Sequence, residues 1–140
     1  MIKYPLNFSI SMKDFKASEV LDFNFAKVDI PLEFGGLARE KSPEEYFVVS
    51  VVSCFLTTLT KLSNNVGLEF KITNFKSQAI LDRGEDTKPF VKKIIIDFCI
   101  RTSDELESKK LIENVKTNCF IINSIKTQVD WNITYINENF

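Results

Sequence analysis

The groups in this chain that could do chemistry begin with its three cysteines, Cys54, Cys99 and Cys119. A thiolate is a nucleophile, a metal ligand and a two-electron redox centre, and its reactivity is set by the charges and donors around it. The chain has no histidine, which removes the commonest general base and the commonest transition-metal ligand. A Ser-His-Asp or Cys-His site is therefore excluded within this chain. The cysteines are scattered without a C-x-x-C, so no zinc site of usual spacing is expected. Only four glycines occur, with no G-x-G-x-x-G and no Walker loop to cradle a nucleotide phosphate. No cofactor is expected, and whether any cysteine is reactive depends on its surroundings.

The cysteines differ in position. Cys54 lies in the apolar run Val51-Val52-Ser53-Cys54-Phe55, where a free thiol reads as core packing. Mid-helix, it would need a nearby cation or hydrogen-bond donor to ionise readily. Cys119 follows Asn118; if Asn118 caps a short helix, Cys119 stands near backbone N–H groups that favour a thiolate, and simple packing is the equal alternative. Cys99 sits in Ile96-Asp97-Phe98-Cys99-Ile100 and reads as an inert strand residue.

The elements that must position these groups are legible. Phe8, Ile10 and Met12 fall on one face of a predicted strand, Asn7 to Met12. Leu21 to Phe25 repeats the pattern, and Asp29 to Phe34 reads as a third extended segment ending at the breaker Gly35-Gly36. Ser42-Pro43-Glu44-Glu45 carries a capping residue, a proline at the first helical position and a capping-box glutamate. The helix it opens should reach Asn64-Asn65, with Gly67 as the stop. Its first half is apolar on nearly all sides, which predicts a helix surrounded by protein. Two strands follow, Phe70 to Asp82 with an irregularity after Ile72, and Phe90 to Thr102, joined through Arg83-Gly84-Glu85-Asp86. Ser103 should cap a helix from Asp104 to Lys116, Phe120 to Ile125 a short helix, and Thr127 to Ile136 a closing strand. The order predicts a single α+β domain over 1–140, mostly antiparallel sheet on a buried central helix. So much apolar helix surface needs more cover than one small sheet gives, which argues for a homodimer.

Composition narrows the partners. Hydrophobic residues at 44% and charged residues at 26% suit a globular chain. A net charge of −1 leaves no basic footprint for nucleic acid or an anionic membrane. The run Tyr46 to Leu59, broken by Ser50, Ser53, Thr57 and Thr58, falls short of a membrane span. The start Met1-Ile2-Lys3-Tyr4-Pro5 lacks the pattern of a secretory signal. Cysteines without such a signal predict reduced thiols and a cytoplasmic location.

Two segments resemble the osmotically inducible / organic hydroperoxide resistance family, OsmC/Ohr. Ser42-Pro43-Glu44-Glu45-Tyr46-Phe47 followed by Ser53-Cys54-Phe55 is similar to the family's central helix. Asn118-Cys119-Phe120-Ile121-Ile122-Asn123-Ser124-Ile125-Lys126, running into Val129 to Tyr135, is similar to its second-cysteine segment and final strand. The resemblance implies an OsmC-like fold and an intertwined homodimer. It implies that Cys54 attacks an organic hydroperoxide and that Cys119 resolves the sulfenic acid as a disulfide. A dithiol, in the Ohr branch a lipoylated protein, would then reduce that bond. The family's glutamate matches Glu44. Ten helical residues rise about 15 Å, so a functional Glu44 would serve Cys54 of the partner subunit or orient an arginine there; favouring the helix N-terminus is the other reading. Arg39 is the only arginine before the central helix and the candidate activating cation. Its distance from Ser42 departs from the family pattern, with Lys27 and Lys41 as substitutes, and Phe120 replaces the family's proline. A second class of function stays open, a non-catalytic dimer of this fold that binds a small apolar ligand or senses thiol oxidation.

Overall fold

The computed structural model describes residues 9–86 and 88–140, which form two compact units, up to Tyr46 and from Phe47 onward. In the first unit, strands β1 (Leu21–Asp22) and β2 (Lys27–Val28) pair antiparallel, Leu21 with Val28 and Asp22 with Lys27. The extended run expected through Phe25 is cut short by a turn. Asn24 takes a left-handed φ of 71°, its N–H donates to Asp22 Oδ1 at 2.8 Å, and Phe23 N–H donates to the Ala26 carbonyl at 2.9 Å. An aspartate two residues before an αL asparagine offers the backbone this alternative to a strand. Of the earlier expected strand, Asn7 and Phe8 lie outside the described residues, and Ser9–Met12 are exposed and make no strand.

The segment expected to be extended from Asp29 to Phe34 instead closes into a 3₁₀ turn, Leu32–Phe34. Pro31 sets its entry, and Gly35, at a φ of 83°, ends it with its N–H on the Leu32 carbonyl at 3.0 Å. Gly36 is required for a different reason: a Cβ there would overlap the Ile30 carbonyl oxygen. The Gly-Gly pair is thus a tight turn, as expected.

Helix α1 (Pro43–Val66) begins with the capping box read from the sequence. Glu45 N–H donates to Ser42 Oγ at 3.2 Å, and Ser42 N–H to Glu45 Oε1 at 3.1 Å. Gly67 stops it at a φ of 69°. In the second unit, β3 (Phe70–Arg83) and β4 (Pro89–Thr102) form a long antiparallel pair, and β5 (Gln128–Asn137) runs parallel to β4. The irregularity expected after Ile72 is a bulge, where pairing jumps from Thr73–Cys99 to Lys76–Asp97 and Asn74 takes a φ of 54°. Parallel strands need a crossover, here α2 (Glu105–Thr117) and α3 (Phe120–Asn123). Asp104, not Ser103, caps α2, with Glu107 N–H on its Oδ1 at 3.0 Å. Both residues are competent caps, and the chain enters the helix one position later.

The core gathers Val51, Phe55 and Leu59 of α1, Ile94, Ile96, Phe98 and Ile100 of β4, and Leu111, Ile112 and Val115 of α2. Phe55 sits at its centre, its ring 4.5 Å from Trp131 and 5.8 Å from Phe98. By length and composition α1 could cross a membrane, but its Val51-Phe55-Leu59 stripe, with Ser63 below, is spent on this core. The expectation of a helix surrounded by protein is met by the chain itself on that stripe alone. Val49, 55% exposed, and Val66, 64% exposed, mark faces it leaves open.

Candidate functional site

The second unit brings two of the four candidate residues together. Cys54 lies half-buried on α1, and Cys119 lies fully buried at the junction of α2 and α3; both are free thiols. Thr58, one helical turn beyond Cys54, shares its face of α1 because residues four apart are neighbours on a helix. Cys54 packs against the buried cluster that contains Cys119, and both Cys54 and Thr58 act on the Cys119 thiol. What pins Cys119 is the end of α2. Asn118 N–H donates to the Val115 carbonyl at 3.0 Å and its amide to the Asn114 carbonyl at 2.7 Å.

Asn118 therefore closes α2 and does not cap α3. Cys119 itself occupies the α3 cap position, makes no side-chain capping bond, and precedes a helix of only four residues. So short a helix contributes little dipole, and the expected stabilisation of a Cys119 thiolate is absent. The thiol is instead pushed up from 9.0 to about 11, by burial first, then by the charge and hydrogen bond of Cys54, with Thr58 acting in the opposite direction.

Cys99 is in β4 with its side chain on the face opposite Phe98 and Ile100. It pairs with Thr73 and Thr134 across the strands and accepts from Asn74 Nδ2 at 3.9 Å. Its place in a strand is the one expected from the sequence.

The first unit holds the other two candidates. Arg39 is clasped by Asp29: Nε donates to Oδ2 at 2.8 Å, Nη2 to Oδ1 at 3.3 Å, and the Arg39 backbone N–H to Oδ2 at 3.0 Å. Nη2 also reaches the Ser18 carbonyl at 2.7 Å. The guanidinium holds the Asp29 carboxyl well below the usual carboxylate range. Sequence reading missed Asp29; the available signal was an acid and an arginine on opposite sides of the Gly35-Gly36 turn, a placement that brings such residues near one another. Lys41, a weighed substitute, is exposed and pairs with Glu45 at 3.6 Å. Lys27, the other, is exposed, and its carbonyl accepts from the Tyr46 hydroxyl at 2.9 Å. Glu44 stands in the first turn of α1, and its Oε2 is shielded from solvent without a hydrogen-bond partner among the described residues. A cavity of about 350 Å³ in this unit is lined by Phe15, Leu21, Val28, Ile30 and Leu37, with the Asp29–Arg39 pair at its wall. Among the described residues no cluster of acids and cysteines could hold a metal ion.

A family model described as OsmC-like protein matches residues 36–134, a span that contains both cysteines of the site. No curated protein matches the sequence. Among solved structures, an OsmC-like protein of Vibrio cholerae is 21% identical, with 81% of this chain and 82% of that one covered at a TM-score of 0.67. An organic hydroperoxide resistance protein of Elizabethkingia anophelis, with thiocyanate bound, is 15% identical over 96% of this chain and 100% of its own, at 0.71. The organic hydroperoxide resistance protein OhrB of Bacillus subtilis is 15% identical over 91% and 98%, at 0.59. At such identities the likeness is one of fold.

Proposed function

Because this chain belongs to the OsmC-like family, we propose that it is a cytoplasmic thiol peroxidase that reduces organic hydroperoxides through Cys54 and Cys119. The observation that carries the reading is the adjacency of two free thiols, one on α1 and one at the α2–α3 junction. The Cys54 thiolate attacks a peroxide oxygen; an S–O bond forms, the O–O bond breaks, and the alcohol leaves after taking a proton. Cys119 then attacks the sulfenic sulfur; the S–S bond forms, the S–O bond breaks, and hydroxide departs as water with the proton Cys119 gave up. A dithiol, such as a lipoylated protein, returns both cysteines to thiols by exchange.

The state of Cys119 suits the order of these steps. Its thiol is held up partly by the Cys54 charge. Once Cys54 is a sulfenic acid that charge is gone, and Cys119 ionises more readily when it is needed. The reading keeps Arg39, oriented by Asp29, as the cation and Glu44 as the carboxylate of this chemistry. It also keeps a homodimer, for which the exposed Val49 and Val66 of α1 are the supporting feature. The test is peroxidase turnover with an organic hydroperoxide and a dithiol. Wild type should turn over and Cys54→Ser should not; equal rates in the two would defeat the proposal.

The first unit's apolar cavity favours a second reading, a binding protein for a small apolar ligand. A volume near the lower end for ligand sites, about 300–1,000 Å³, is compatible with it. Ligand-dependent stabilisation in a Cys54→Ser, Cys119→Ser double variant, with no peroxide turnover in wild type, would favour this reading.

A further inference from the structure

Among the described residues, the non-glycine positions with a left-handed φ are Ser18, Asn24, Ala38 and Asn74. Asparagine tolerates that conformation; serine and alanine hold it only where the surroundings impose it. Both imposed positions bear on one side chain. Ala38, at 51°, leads directly into Arg39, and the carbonyl of Ser18, at 75°, accepts from Arg39 Nη2 at 2.7 Å. Asp29 completes the hold. Its side chain is 6% exposed; Oδ2 accepts from Nε and from the Arg39 backbone N–H, and Oδ1 accepts from Nη2 and from the Ile30 N–H at 2.9 Å. The acceptor positions of that carboxylate are filled. The guanidinium keeps something back. Its Nε and Nη2 hydrogens are engaged, whereas Nη1 has no hydrogen-bond partner among the described residues.

Arg39 and Asp29 share the wall of the first unit's cavity, about 350 Å³, with Glu19 and the apolar side chains named above. Phe15, Ile30 and Leu37 are each more than half exposed, so the apolar wall is open to an incoming molecule. Two carboxylates against one guanidinium leave the wall net negative, and the unused Nη1 leaves it short of an acceptor. From these features we infer that the cavity holds a compact, neutral, apolar molecule through one acceptor oxygen on Arg39 Nη1, and discriminates against carboxylates of the same shape. The inference rests on the binding reading of this cavity and is independent of thiol turnover. A carboxylate could also accept from Nη1, but it would enter beside Glu19 and Asp29, and the Arg39 charge is already paired with Asp29, so the repulsion is uncompensated. An ammonium answers Glu19, which is exposed and solvated, but it offers Nη1 no acceptor and sits beside a guanidinium. A hydrocarbon covers the apolar wall and leaves Nη1 unanswered.

The test titrates probes of one skeleton, acetophenone, ethylbenzene, benzoate and benzylamine, into the reduced full-length protein at neutral pH. Nitrogen-15 NMR follows the backbone signals of residues 15–39 and the Arg39 side chain. Acetophenone should bind about tenfold more tightly than ethylbenzene, and more tightly than either charged probe, and should move the Arg39 side-chain signal that ethylbenzene leaves in place. Arg39→Lys keeps the charge opposite Asp29 and loses the second terminal nitrogen, so it should bind acetophenone and ethylbenzene alike. The side-chain signal is read in wild type and keeps the inference open to refutation even if Arg39→Lys unfolds the turn. Equal wild-type affinity for acetophenone and ethylbenzene, an Arg39 signal unmoved by acetophenone, or benzoate binding as tightly as acetophenone would overturn the inference and leave the binding reading standing. Binding by none of the probes would overturn both. Cavity signals that move with protein concentration and with no probe would place a second copy of the chain there, and would likewise overturn both.

Discussion

Removing Cys54 should make Cys119 a more acidic thiol, and the size of the change follows from what surrounds it. In the native protein Cys119 is held at about 11, against an ordinary 9.0, by burial and by Cys54 itself. That rise lowers its thiolate population about 100-fold at neutral pH, while the more basic sulfur gains roughly six- to tenfold in intrinsic nucleophilicity, so the net reactivity is about tenfold below that of an ordinary thiol. Complete burial slows it further. In Cys54→Ser the charge disappears and burial, the largest cause, stays. The Cys119 midpoint should therefore fall while remaining above 9.0. The assay is the pH dependence of Cys119 alkylation, followed by peptide mass in a Cys99→Ser background so that only the site thiols react. The rate should climb with pH beyond the range where an ordinary thiol has levelled off, and the curve should move to lower pH when Cys54 is replaced. A wild-type midpoint at or below 9.0, or no movement in Cys54→Ser, would refute the reasoning.

Three other expectations follow from the packing. Phe55→Ala removes the side chain at the centre of the core, against Trp131 and Phe98, and should cost about 3–5 kcal/mol in denaturant unfolding. Gly36→Ala should disrupt the turn between Asp29 and Arg39, because the new Cβ meets the Ile30 carbonyl; limited proteolysis within residues 29–39 should accelerate while Gly35→Asn, at a left-handed φ that asparagine tolerates, should not reproduce the effect. Asp29 has a folded-state pKa below its unfolded value, so its contribution to stability is complete above the ordinary 3.8 and is lost as pH falls below that point. The stability gap between wild type and Asp29→Asn, measured as a difference in Tm, should accordingly be widest at neutral pH and shrink in acid.

The parts of the fold that could be read from the sequence are those with a local cause. The Ser42–Glu45 box and Gly67 bound α1 because capping chemistry acts within a few residues. The alternation of β4 is visible because one face is fully buried, Ile94, Ile96, Phe98, Ile100 and Thr102 in turn. The N-terminal segment was misread where short-range hydrogen bonds defeat alternation: Asp22 with Asn24, and Pro31 with Gly35, make turns out of apolar runs that would otherwise extend. Cys119 stayed open between thiolate and packing for a similar reason. Asn118 was available to either flanking helix, and the longer α2 took it, leaving the thiol without a cap and buried. The pairing of Cys54 with Cys119 could not come from spacing at all, since it depends on how α1 meets the α2–α3 crossover; the family resemblance supplied that. Asp29 went unnoticed because it matters through a single long-range partner, Arg39.

In the proposed reaction Cys54 and Cys119 act as one redox pair, and intact mass with disulfide mapping after one equivalent of an organic hydroperoxide tests that most directly. The predicted result is the loss of two thiols per chain, a Cys54–Cys119 disulfide with Cys99 still free, and full reversal by dithiol. Unreacted thiols, or oxidation that lodges on Cys99 or stays at Cys54 without joining Cys119, would contradict it.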